Sequence, residues 1–187
     1  MTKSSMSTES ASLNNKKSFS KKERLLQYKM LATAFSYPDD NLFKFYPAAL
    51  TEKEKLKREY DKLFRTNEIW LYATEYMAKN EFQRGDYLSD ISGFYRAFGL
   101  VPDKDRPDSL SSELEFMYYL ILKEDRAPDK EKALICHDAQ KNFFCEYLYL
   151  AAGKIAQKII SHTSNDFYLE AAGDLLEFLE SEKKVFE

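Results

Sequence analysis

Glycine and proline are scarce, at five residues each in a chain of 187. Phosphate loops and dinucleotide folds need clustered glycines for tight turns and close backbone approach. Gly85, Gly93, Gly99, Gly153 and Gly173 form neither pattern. There are two histidines, His137 and His162, and neither lies three residues after an acid. The Glu-x-x-His spacing of di-iron bundles is therefore missing. Cys136 and His137 are neighbours that point in different directions, so they make no zinc cluster. No Gly-x-Ser-x-Gly elbow occurs. No metal site, cofactor site or catalytic constellation is expected.

Other absences narrow the class further. No apolar run is long enough to span a membrane, and residues 1–22, MTKSSMSTESASLNNKKSFSKK, lack the apolar core of a secretory signal. A protein that stays in the cytoplasm is expected. The net charge is only −3, with Lys and Arg interspersed among acids, which gives no case for nucleic-acid binding. Cys136 and Cys145 lie nine positions apart in a predicted helix, on opposite faces and ~13 Å apart along the axis. A disulfide needs Cα atoms within about 7 Å, so two free thiols are expected.

What is present favours helices. The chain is 44% hydrophobic and 15% aromatic, rich in Leu, Lys, Glu, Phe and Tyr. Residues 1–20 read as a disordered tail, and residues 21–187 as a single all-α bundle with one core. A first helix starts near Lys21, with Tyr28, Leu31, Ala32 and Phe35 inward and Pro38 as its stop. Thr51-Glu52-Lys53-Glu54 reads as a capping box before a helix carrying Leu56, Tyr60, Leu63 and Phe64. Residues 65–82 have no clear pattern. Another helix carries Ile91, Phe94, Tyr95 and Phe98, and Gly99 suits its C-terminal cap. The polar connection 101–108, VPDKDRPD, follows. A helix from there reaches about Lys123, a long helical region runs from Asp129 to about His162 with a break placed near Gly153, and Asn165 or Asp166 caps the last helix.

Within RPDSLSSELEF, residues 106–116, one acid stands out. At ~100° per residue, Glu113 falls inside the apolar arc of its helix, while Glu115 falls outside it. Two readings stay open. Glu113 is a structural acid bonded to an amide or a tyrosine hydroxyl, or it is a polar anchor at the floor of a binding groove. Pro107 and Asp108 read as a helix start, with Asp108 capping the amide of Ser111 or its neighbour. Trp70 sits in an unpatterned, polar-flanked segment, where exposed aromatics often mark a recognition surface.

The order of these segments resembles the TorD/DmsD/NarJ family of cytoplasmic chaperones for molybdoenzyme maturation. Phe94-Tyr95-Arg96-Ala97-Phe98-Gly99-Leu100 is similar to its "FY..aGL" helix end. Pro107-Asp108-Ser109-Leu110 followed by Glu113-Leu114-Glu115-Phe116 resembles its "PDH(L/I)..ELEF" motif, with Ser109 in place of histidine. Tyr60, Leu63 and Phe64 match "Y..LF", and Leu71-Tyr72-Ala73-Thr74-Glu75-Tyr76 echoes "PYESVY" without its Pro and Glu. Leu31-Ala32, Phe35 and Tyr37-Pro38 resemble the opening "LA..F.YP", and Asp166-Phe167-Tyr168 the "PFY" start of the last helix. Ala151 stands where the later "HL..W" pattern has tryptophan.

The resemblance implies a dedicated, non-catalytic chaperone. Its client would be the apo form of a molybdopterin-dependent catalytic subunit, bound through an N-terminal segment that is often a twin-arginine signal. Such a chaperone holds the client back from export until the cofactor is inserted. The implied groove takes in Tyr60, Leu63, Phe64, Trp70, Tyr72 and Tyr76 for an apolar stretch. It adds Pro107, Asp108, Ser109 and Glu113, with Asp108 and Glu113 as partners for a guanidinium. The connection 101–108 would flex, or act as the hinge of a domain-swapped homodimer; the alternative is a monomer. Rival readings are a structural or assembly subunit of an oxidoreductase complex and a small helical nucleotide-binding protein or enzyme.

Overall fold

Ser20 starts the first helix. Its hydroxyl accepts from the Glu23 amide, and the Glu23 carboxylate accepts from the Ser20 amide at 2.7 Å. Two unpaired donors are satisfied at once, and helix α1 (Lys21–Ala34) begins. The computed structural model describes residues 19–66, 69–101 and 106–187. All but the last two residues of the predicted tail, and residues 102–105 of the predicted connection, lie outside them.

Asp39 caps α2 (Asp40–Phe45) through the amides of Asn41 and Leu42. A 3₁₀ turn (Pro47–Glu52) then leads into α3 (Lys53–Asp61). The capping box expected at Thr51 is absent. Pro47 fixes the start of the 3₁₀ turn, and the Thr51 hydroxyl is used inside it, donating to the Ala48 carbonyl at 3.1 Å. A π-helical turn (Lys62–Thr66) ends α3. After the unpatterned stretch come the short α4 (Thr74–Met77) and α5 (Glu81–Ala97), capped by Asn80.

Gly99 closes α5 as expected. It has φ +78°, and the Leu100 amide reaches back to the Tyr95 carbonyl at 2.9 Å while its own amide bonds Arg96 O at 3.0 Å. That is the left-handed cap in which glycine carries no Cβ penalty. Helix α6 (Leu110–Asp125) is capped by Ser109, α7 (Lys130–Phe143) by Asp129 and α9 (Asp166–Phe186) by Asn165. The long helical region is interrupted by a π-helical turn at Phe144–Leu148, before α8 (Tyr149–His162), and not at Gly153. The turn inserts its extra residue where Phe143, Phe144, Tyr147 and Leu148 must all face inward.

Helix α1 packs on α6, α6 on α7, and α8 on α9, with α9 also against α1. The core between them is contiguous and aromatic. Phe116 is central, with ring centroids 4.6 Å from Tyr95 and 4.8 Å from Phe143, both edge-on. Such pairs add to the area they bury. The described residues contain no strand, and one isolated bridge joins Tyr72 to Ser109. The all-α expectation holds. Cys136 is buried and Cys145 exposed, both unbridged.

Candidate functional site

Two motifs distant in sequence meet at that bridge. The Ala73 amide donates to the Asp108 carbonyl and the Leu110 amide to the Leu71 carbonyl, both at 2.8 Å. Burial alternates along the first segment: Ile69, Leu71 and Ala73 are buried, Trp70 is exposed and Tyr72 half-buried. A period of two is what an extended segment lying on a core produces. The sequence between Trp70 and Tyr76 is short and mixed, so this pairing has no periodic signal long enough to read.

Beside the bridge lies a cleft of about 410 Å³. Tyr37, Tyr60, Phe64 and Tyr72 wall it, and Ser36, Ser109 and Ser111 give it hydroxyls. The rings brace one another, Tyr37 edge-on to Tyr60 at 5.3 Å and Tyr60 edge-on to Phe64 at 4.8 Å. Burial, with Tyr72 nearby, pushes the Tyr60 phenol up to about 12, so its hydroxyl stays a donor. A cleft of this size, with aromatic walls, three serines and Arg65 in its lining, suits one or two side chains of an extended ligand.

The predicted site residues divide into three groups. Tyr60, Phe64, Tyr72 and Ser109 line the cleft together. Leu63 is fully buried in the core; Trp70 lies outside the cleft lining and is 40% exposed. Tyr76 faces α8, where Lys154 donates to its carbonyl at 3.0 Å and Lys158 lies over its ring. Pro107, Asp108 and Glu113 are enclosed beneath the bridge.

Asp108 does not cap α6. Ser109 holds that position, accepting from the Ser112 amide at 3.3 Å. Asp108 points the other way, and its Oδ2 accepts from the Thr74 amide at 3.1 Å and from the Thr74 hydroxyl at 2.5 Å. A carboxylate with these donors fastens the start of α4 to the start of α6. Glu113 is 1% exposed, and its Oε1 has no hydrogen-bond partner. Burial first, and the neighbouring Asp108 second, push its carboxyl well above the usual carboxylate range. The Tyr95 phenol shares this pocket of acids, is also pushed up by burial, and donates to the Pro107 carbonyl at 2.8 Å.

Several residues at the cleft escaped the sequence reading. Tyr37 is exposed at the end of α1, and Arg65 lies over its ring at 5.3 Å. The Tyr-Pro pair that stops α1 was the available signal. Glu75 and Arg106 flank Tyr72: the Arg106 guanidinium lies 3.7 Å from the Tyr72 ring centroid and its Nη2 is 3.3 Å from Glu75 Oε1. Neither had a periodic pattern to mark it.

A larger cavity, about 600 Å³, lies where the end of α6 meets α7, lined by Phe98, Tyr119, Leu122, Lys123 and Ile135. None of the predicted site residues reaches it. Among the described residues no group of three or more His, Cys, Asp or Glu is placed to hold a metal ion, and no helix is long and apolar enough to cross a membrane.

Comparison with known proteins points the same way as the motifs. The profile of the nitrate reductase delta subunit family matches residues 28–151, more than half of the chain. The matched stretch includes every wall of the cleft. The chlorate reductase assembly chaperone protein of Ideonella dechloratans is 28% identical over 166 residues, covering 80% of this chain and 84% of that one. No solved structure matches the chain significantly. The chain belongs to the nitrate reductase delta subunit family, a family of molybdoenzyme assembly chaperones and not of catalysts.

Proposed function

We propose that this protein is the dedicated assembly chaperone of one molybdopterin-dependent oxidoreductase, and that it recognises the catalytic subunit through an N-terminal signal segment. The client is held in the cytoplasm, in its apo form, until the cofactor is inserted. The observation that carries the reading is the aromatic cleft, in which Tyr60, Phe64, Tyr72 and Ser109 converge from three separate motifs. Its chemistry matches the ligand: rings for apolar side chains, and a hydroxyl at Ser111 for the backbone of an extended peptide. The 28%-identical relative is named as a chlorate reductase assembly chaperone, which supports an oxyanion reductase as the client class.

The test has two arms. The protein is purified from cells that express a molybdoenzyme precursor, and its companions are identified. The precursor of a molybdopterin subunit is expected among them, and its absence overturns the reading. In the second arm, a labelled peptide carrying that precursor's N-terminal segment is titrated against the purified protein. Binding that is competed by the unlabelled segment, and not by a scrambled one, is the expected result.

A further inference from the structure

The acids that the sequence offered to a guanidinium, Asp108 and Glu113, are enclosed. Glu75 is a partly exposed acid three positions from the cleft-lining Tyr72, with 23% of its side chain exposed. Its Oε1 accepts from Arg84 Nη2 at 2.7 Å and from Arg106 Nη2 at 3.3 Å. Arg106 also stacks on Tyr72 with its guanidinium carbon 3.7 Å from the ring centroid. The other cation–ring contacts among the described residues fall between 5.1 and 5.7 Å. One ring face for the plane and one carboxylate for the N–H edge is the recognition set that a guanidinium fits and an ammonium fits poorly.

We propose that Tyr72 and Glu75 form a guanidinium-binding cradle at the rim of the cleft, and that Arg106 occupies it until an arginine of the client displaces it. The inference rests on the client reading above and deepens it by naming the group recognised beside the apolar stretch.

Three observations favour exchange over a fixed strap. The contact is reachable: the Arg106 side chain is 28% exposed, against 8% for Arg24 in the buried pair with Glu182. Departure of Arg106 leaves Glu75 still paired with Arg84. Tyr72 also walls the cleft, so an arginine on its ring places the neighbouring client residues at the mouth of the aromatic cleft. Trp70, on the same side of the extended segment by the alternation of burial, presents a second ring to an adjacent arginine.

The test uses Arg106→Gln and Glu75→Gln in the full chain, with helicity and melting checked by circular dichroism. The first probe is a fluorescent peptide with two adjacent arginines ahead of a leucine-rich stretch, and its counterpart has lysines in their place. Arg106→Gln is expected to tighten the arginine peptide about tenfold, the worth of one partly desolvated cation–ring contact, and Glu75→Gln to weaken it by about the same factor. The lysine peptide should gain less. The second probe is arginine amide, followed by amide NMR shifts, which needs no client sequence. It should perturb Trp70, Tyr72 and Glu75 in Arg106→Gln far more than in the wild type. If the peptide binds but arginine and lysine are equivalent, or Arg106→Gln fails to tighten it, the cradle is overturned and the client reading stands. If arginine amide binds at the cradle while neither peptide binds any variant, the cradle stands and the signal-segment reading falls. If neither probe binds, both fall.

Discussion

Arg24 on α1 and Glu182 on α9 form a forked, buried ion pair, with Nε to Oε1 at 2.6 Å and Nη2 to Oε2 at 2.8 Å. The Tyr28 hydroxyl donates to the same carboxylate at 2.7 Å, and Arg24 also reaches Gln140 Oε1 at 3.4 Å. The network thus ties the first helix to the last and to α7. Burial tends to lower the guanidinium pKa, but the bonds and charge of Glu182 outweigh it and the net shift is upward. Removing one partner leaves the other charge enclosed. Glu182→Ala is expected to cost about 3–5 kcal/mol in urea denaturation, while the double change Arg24→Met with Glu182→Leu should recover most of that loss. A single-variant cost below about 1 kcal/mol would show that the pair is dispensable.

The helices were legible because their apolar residues recur with a long, regular period. Tyr28, Leu31, Ala32 and Phe35 were read as inward, and all are buried. Gly99 after the apolar pattern of its helix signals a C-terminal cap, and the structure places it at φ +78°, where a residue without Cβ is favoured. Errors fell where the signal is short or non-local. Thr51 has the side chains of a capping box, but Pro47 upstream commits it to a 3₁₀ turn. The break in the long helix follows core packing at Phe143, Phe144 and Tyr147, which outweighs the weak preference of Gly153. Arg24 and Glu182 were invisible as partners because 158 positions separate them. The same holds at the site: Tyr60, Phe64 and Tyr72 were nameable, but their meeting with Ser109 depends on a bridge that no periodicity announces.

Asp108 and Thr74 make the bridge a fastener, and this can be measured apart from any client. Thr74→Val keeps the shape and removes the hydroxyl that Asp108 Oδ2 accepts from. A loss of about 1–3 kcal/mol is expected, since the carboxylate is then buried with one donor fewer. Thr74→Ser should retain most of the stability. In a double-mutant cycle with Asp108→Ala, the two losses should be strongly non-additive. Additive losses would mean that the two side chains do not act together.

Glu113 sets a pH dependence whose sign follows from its position. Its folded pKa is raised by burial and by Asp108 above the unfolded value of about 4.3. The folded state therefore keeps this proton at pH values where the unfolded chain has lost it. The contribution is fully present below about pH 4.3 and is lost as pH rises through the raised folded value, at up to ~1.4 kcal/mol per pH unit. Glu113→Gln is neutral at every pH and escapes that loss. The variant should match the wild type near pH 4 and exceed it increasingly toward neutrality in urea melts. Parallel profiles for the two proteins would mean that Glu113 does not carry the slope.

Ser111 offers the cleanest test of the cleft, because it lines the opening without belonging to the core. Its side chain is small and only partly buried. Ser111→Trp therefore places an indole among Tyr60, Phe64 and Tyr72 while leaving the bridge from Tyr72 to Ser109 and the cap at Ser109 intact. Thermal stability should change by no more than about 0.5 kcal/mol, as for surface substitutions away from special features. Affinity for the client's N-terminal peptide should fall at least tenfold, about 1.4 kcal/mol or more. Ser111→Ala serves as the control, since it keeps the cleft open and should bind within about threefold of wild type, under ~0.7 kcal/mol. A tryptophan variant that folds normally and binds the peptide with unchanged affinity would place the recognition surface elsewhere on the molecule.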